Sequence, residues 1–79
     1  MTKENIAAAV IGYLKDKTQN KIEPDTDLFA AGVLDSMEVM ETIHFLETKF
    51  GIEVDPEEIA EENFRTAAAM AALVEPKLR

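Results

Sequence analysis

The chain has no cysteine, a single histidine and only eight basic residues among its 79, and each shortage closes off a class of function. Without cysteine there are no disulfides and no thiolate zinc sites, which fits a reducing compartment; a cytoplasmic protein is expected. His44, the only histidine, has no second ligand of its own kind, so no metal site is expected. Clustered lysine and arginine, needed to displace counterions from phosphates, are missing, so nucleic acid is not an expected partner. Apolar runs are short and interrupted, and the N-terminus opens Thr2-Lys3-Glu4-Asn5; neither a membrane span nor a signal peptide is read, and a soluble protein is expected. At this length there is room for one domain, 1–79, near the size where a core is only just sufficient.

What is present is acid, unevenly spread. Residues 1–22 carry four lysines against Glu4 and Asp16, a net +2, whereas residues 23–79 carry fourteen acids against four bases, a net −10. A surface of this kind complements basic protein partners and speeds their encounter, or simply maintains solubility.

The punctuation is helical throughout. Ile6, Ala7, Val10, Ile11 and Leu14 recur at spacings of three and four, predicting a first helix that fades at Lys17-Thr18-Gln19-Asn20. A connector from about Thr18 to Leu34 contains Pro24 and Gly32, and at that length it must be pinned, with Ile22, Leu28, Phe29, Val33 and Leu34 as the pins. Asp35 as N-cap with Glu38 three residues on forms a capping box, and Phe50-Gly51 is a helix stop, which bounds a second helix. Asp55-Pro56-Glu57-Glu58 repeats the cap, proline and acid pattern and predicts a short helix to about Glu61 or Glu62. Thr66 caps a last helix through Ala67 to Val74, bounded by Pro76. The fold expected is all-α: a small antiparallel four-helix bundle of three main helices and one short one. Val10, Leu14, Phe29, Val39, Ile43, Leu46, Phe50, Ile59, Met70 and Leu73 are expected inside.

On a wheel of 100° per residue, Val39, Ile43, Leu46 and Phe50 make the core stripe of the second helix. Met37, Met40, Glu41, His44 and Thr48 fall on a different side. Methionines among polar residues suit an adaptable contact patch, yet Met40 could equally widen the core face, and spacing leaves both readings open. Phe45, on the other flank, receives no role from its spacing.

Catalytic constellations are poor. Ser36 and His44 lie eight residues apart, a rise of about 12 Å along one helix, too far for a nucleophile and its base. Asp25-Thr26-Asp27 begins like a calcium loop, but Phe29 and Ala30 occupy positions that need a ligand and a glycine. Glu57, Glu58, Glu61 and Glu62 read as a solvated helix face. No catalytic residue is assigned. Ser36, by contrast, falls in the first turn of the second helix, where unpaired backbone N–H groups and the helix dipole favour an attached anion by about 0.3–1 kcal/mol.

Asp27-Leu28-Phe29, then Gly32-Val33-Leu34-Asp35-Ser36-Met37, then an acidic amphipathic helix ending Phe50-Gly51-Ile52, together resemble the acyl carrier protein family, which includes D-alanyl and other aminoacyl or peptidyl carriers. The resemblance spans nearly the whole chain. It implies that a phosphopantetheinyl transferase, using coenzyme A, attaches a 4′-phosphopantetheine arm at Ser36, beside the cap Asp35. The arm's thiol would hold cargo as a thioester, and catalysis would belong to partners: the transferase, a loading ligase or acyltransferase, and downstream condensing or transfer enzymes with basic patches. Met37, Glu38, Met40, Glu41, His44 and Glu47 would face them, with Glu57 and Glu58 as outlying acids, in pairs worth only about 0–1 kcal/mol each. Gly-Val-Leu-Asp-Ser differs from the Gly-Gly-His/Asp-Ser pattern of modular peptidyl carriers, so a freestanding, monomeric carrier in a specialised biosynthetic pathway is expected. The alternatives are a housekeeping fatty-acid carrier and, in another class, an acidic helical adaptor that carries nothing and uses Ser36 only to start a helix.

Overall fold

A computed structural model describes residues 2–78. Four α-helices follow one another, α1 (Lys3–Lys15), α2 (Ser36–Phe50), α3 (Glu61–Phe64) and α4 (Ala67–Val74), with 3₁₀ turns at Pro56–Glu58 and Glu75–Leu78 and no strand among the described residues. The all-helical bundle architecture expected from the sequence is therefore the one observed.

Helix starts follow local chemistry. The Thr2 hydroxyl accepts a hydrogen bond from the Asn5 N–H, and the Thr66 hydroxyl accepts one from the Ala69 N–H, each satisfying an amide that has no partner inside its helix. α1 turns Ile6, Ala7, Val10 and Leu14 inward, and α4 buries Ala67, Met70, Ala71 and Val74. These two helices form the principal contact of the bundle. Alanines in the seam keep side-chain bulk low where the helices meet. At Pro76 the missing N–H cannot continue the α-helical ladder, and the chain closes in the 3₁₀ turn instead.

The connector is pinned as expected. Ile22, Leu28, Val33 and Leu34 are buried and Phe29 packs half-buried against them. Backbone bonds complete the pinning: the Leu28 N–H donates to the Arg65 carbonyl at 2.7 Å, the Val33 and Leu34 N–H groups both donate to the Leu28 carbonyl, and the Ala68 N–H donates to the Pro24 carbonyl. Gly32 takes φ 75°, a left-handed turn that a side chain would strain.

Two expectations need correction. The short helix from Asp55 is split: a 3₁₀ turn ends at Glu58, Ile59 leaves helical geometry at φ −82°, ψ 77°, and α3 begins only at Glu61. The Glu58 carbonyl is claimed by the Ala60 N–H and by the Asn63 side-chain amide, so it is not left for a helical donor four residues on. The turn brings Phe64 fully into the core and leaves Ile59, expected inside, 42% exposed. Phe29, Val39, Phe50 and Leu73 are partly rather than fully buried, whereas Val10, Leu14, Ile43, Leu46 and Met70 are inside as expected.

Candidate functional site

Ser36 is the first residue of α2, delivered there by an extended Asp35 (φ −126°, ψ −175°). Asp35 closes the helix start twice over: its Oδ1 accepts from the Glu38 N–H at 2.9 Å and its carbonyl accepts from the Val39 N–H at 2.9 Å. The reciprocal half of the capping box is not formed, because the Glu38 carboxylate is directed to Lys17 instead. Ser36 is exposed and its hydroxyl has no hydrogen-bond partner among the described residues, nor do the N–H groups of Ser36 and Met37. An exposed hydroxyl therefore stands beside unpaired amides at the positive end of a fifteen-residue helix.

Ser36 also lines an open cleft of about 510 Å³ whose walls include Phe29 from the connector, Val39 and Met40 from α2, Ile59, and Phe64 from α3. One carboxylate ties these walls together. Asp27 Oδ1 accepts from the Phe29 N–H at 3.2 Å and the Ala30 N–H at 3.0 Å, while Oδ2 meets Arg65 Nη1 at 3.3 Å; Arg65 Nη2 reaches Glu61 at 3.2 Å. The Ala30 amide first, and the Arg65 guanidinium after it, hold the Asp27 carboxyl below the usual carboxylate range. Asp27 belongs to the Asp-Leu-Phe signal in the sequence, but Arg65 lies 38 residues away and carries no local signature.

The remaining sequence-derived residues divide by environment. Met37 and Met40 are 75% and 58% exposed, so Met40 does not widen the core. His44 is exposed beside them. The acids are engaged within the chain: Lys17 Nζ lies 3.0 Å from Glu41 Oε1 and 3.5 Å from Glu38 Oε2, and Glu47 Oε2 accepts from the Val54 N–H at 3.0 Å. The Glu41 carboxylate raises the Lys17 ammonium above the ordinary lysine range. Farther off, Glu58 pairs with Lys77 at 2.8 Å and accepts from the Asp55 N–H, which lowers its carboxyl, the lysine contributing most. Among the described residues no group of three or more histidines and acids is placed to hold a metal ion, and no helix is long and apolar enough to cross a membrane.

Lys17 and Phe45 went unassigned by sequence reasoning. Phe45 stacks on Tyr13 with ring centroids 4.2 Å apart and meets Phe50 edge-on at 6.4 Å, fastening α2 to α1. Lys17 Nζ sits 5.2 Å from the Tyr13 ring centroid, within cation–π range. The Tyr13–Phe45 stack joins two helices and the Lys17–Glu41 pair spans 24 residues, beyond the reach of any local pattern.

A free serine hydroxyl, two unpaired amides and a largely apolar cleft suit a phosphodiester-linked arm chemically: a hydroxyl can be phosphorylated, unpaired amides can receive an anion, and an apolar cleft can flank a chain. The chain matches the phosphopantetheine attachment site family over residues 4–74. It is 34% identical over 77 residues to D-alanyl carrier protein 1 of Lactiplantibacillus plantarum, covering 95% of this chain and 96% of that one. The D-alanyl carrier protein of Lactococcus lactis subsp. cremoris (strain MG1363) is 43% identical over 53 residues, 67% of each chain. That of Streptococcus suis is 51% identical over 43 residues, 54% of each. The chain thus belongs to the phosphopantetheine attachment site family: it is a carrier protein, and its cofactor is covalently held 4′-phosphopantetheine.

Proposed function

We propose that Ser36 is the attachment residue and that the chain works as a freestanding, monomeric aminoacyl carrier in the cytoplasm, a single domain over 1–79, with D-alanine as cargo. The observation that carries the attachment site is the exposed, unpartnered Ser36 hydroxyl at the first position of α2. The cargo is that of the D-alanyl carrier proteins this chain resembles, one of which aligns over 95% of it.

In loading, the Ser36 Oγ–P bond forms at the pantetheine-side phosphorus of coenzyme A and the pyrophosphate P–O bond breaks. The nucleotide bisphosphate leaves, and the serine proton passes to a base of the phosphopantetheinyl transferase. The unpaired N–H groups of Ser36 and Met37 would receive the phosphodiester anion, a contribution of about 0.3–1 kcal/mol at an exposed helix start. Phe29, Val39 and Phe64 offer apolar wall beside it. The arm supplies a thiol that holds the amino acid as a thioester. This chain's own residues orient and present; a loading ligase, which activates the amino acid, and a downstream transfer enzyme carry out the bond changes. Met37, Met40 and His44 form the exposed face beside Ser36 on which those partners settle, and the methionines adapt to more than one of them.

The test is intact-mass spectrometry after incubation with coenzyme A and a broad-specificity phosphopantetheinyl transferase. One added phosphopantetheinyl group is expected on the wild type and none on Ser36→Ala. A folded wild type left unmodified under conditions that load a control carrier would establish the adaptor reading instead. Incubation of the loaded protein with D-alanine, ATP and an adenylating ligase specific for D-alanine then tests the cargo.

A further inference from the structure

We propose that Lys17 is a specificity-determining residue: it clamps Glu38 and Glu41, the α2 carboxylates nearest Ser36, so that a partner with a basic patch must displace Lys17 before it can read them. This rests on the attachment of the arm at Ser36.

The clamp is built, not incidental. Lys17 follows the end of α1, where its N–H donates to the Leu14 carbonyl at 2.9 Å, and its side chain is 28% exposed, against 86% for Lys21. The Nζ stands 3.0 Å from Glu41 Oε1 and 3.5 Å from Glu38 Oε2, with the Tyr13 ring beneath at 5.2 Å. Tyr13 is itself held by stacking on Phe45 of α2, so the ring facing the ammonium is fixed by both helices. Glu38 Oε2 is sealed from solvent and accepts no hydrogen bond. A carboxylate oxygen in that position depends on the facing cation, and without Lys17 it must turn outward to be solvated.

The consequence is chemical selectivity. A carrier with free acids at these two positions attracts any partner with a matching basic patch, through long-range steering that raises the association rate. Here Lys17 offsets one of the two negative charges and holds both carboxylates where a partner arrives, beside the exposed apolar side chains of Met37 and Met40. Partners that dock by apolar contact are favoured over those that dock by charge.

The experiment compares full-length wild type, Lys17→Met, Lys17→Arg and Lys15→Met as substrates for Ser36 loading from coenzyme A by a broad-specificity phosphopantetheinyl transferase with a basic docking patch. Initial rates are read by intact mass at low and high sodium chloride. Lys15 is exposed and outside the clamp, so its variant matches the net charge of Lys17→Met without releasing the acids. At low salt kcat/KM of Lys17→Met is expected to exceed that of Lys15→Met by about 3–10-fold, since freed charges act on the encounter. In about 0.5 M salt, where screening reaches only a few ångströms, the excess shrinks to within about twofold. Lys17→Arg stays within about twofold of wild type, because it keeps the clamping charge. A purely structural ion pair would shift the melting temperature but leave these salt slopes parallel.

Equal rates for the two methionine variants at low salt, or an excess that persists at high salt, overturns the proposal. Lys17→Gln compared with Lys15→Gln gives a second reading that does not need Lys17→Met to fold. The same low-salt excess is expected for the glutamine pair, and equal rates for the two overturn the proposal. Wild type that is never modified at Ser36 refutes the attachment reading, and this proposal with it; modified wild type with indistinguishable variants refutes this proposal alone.

Discussion

Leu28→Ala is the most direct test of how the connector is held ahead of Ser36. Leu28 is fully buried, and its backbone makes three bonds: its N–H to the Arg65 carbonyl, and its carbonyl from the Val33 and Leu34 N–H groups. Alanine retains all three, so the substitution removes side-chain volume and little else. Three carbon atoms at about 0.8 kcal/mol each make a transfer loss near 2.4 kcal/mol. The cavity left behind brings the expected cost to about 2–5 kcal/mol, with about 3 as the working value. Against a total stability of about 4–12 kcal/mol for 79 residues, that is a large fraction. The melting temperature should fall by about 12–24 °C, at about 4–8 °C per kcal/mol for a domain of this size. Urea titration of both proteins gives the free energy directly, with the slope of the transition checked for change. Ile59→Ala is the matched control: at 42% exposure it should cost no more than about 0.5 kcal/mol. A Leu28→Ala loss below about 1 kcal/mol, or an Ile59→Ala loss as large as that of Leu28→Ala, would refute the assignment of the core under the connector.

Gly51→Ala isolates backbone strain, because Gly51 has φ 66° and an added Cβ would meet nothing within 4 Å. The expected cost is about 1–2 kcal/mol, read as a lower urea midpoint; an unchanged midpoint would mean that α2 does not end in the left-handed conformation. The Asp27 carboxyl is depressed in the folded state, so its stabilisation is fully present above the unfolded value of about 4 and is lost as pH falls through the lower folded value. Asp27→Asn removes that contribution at every pH, and the stability gap between it and wild type should narrow between about pH 5 and pH 3. Urea midpoints at pH 7, 5 and 3 test this, and a gap that stays constant on acidification would show that Asp27 titrates as it does in the unfolded chain.

Ser36 was legible because its position is set within one turn of helix. A cap needs only an oxygen three residues from an unpaired amide, and Asp35 with Glu38, Thr2 with Asn5 and Thr66 with Ala69 all satisfy that condition locally. Gly51 ends α2 for an equally local reason, a backbone angle that residues with a side chain resist. The core stripe of α2 followed from its periodicity, although Thr42 escaped the pattern. A buried polar residue there is tolerated because its hydroxyl donates to the Glu38 carbonyl at 2.8 Å on its own helix.

By itself, then, the sequence determined the helical class, the places where α2 and α4 begin and end, and the presentation of Ser36, since each depends on hydrogen bonds and side-chain repeats within a few residues. Tertiary structure alone decided which acids of α2 remain available. Lys17 reaches Glu41 across 24 residues, and Arg65 reaches Asp27 across 38. It also exchanged Ile59 for Phe64 in the core and gave Phe45 its partner in Tyr13. Contacts of this kind arise only once the helices lie side by side: a side chain's spacing names the face it shares, while the neighbouring element determines what that face meets.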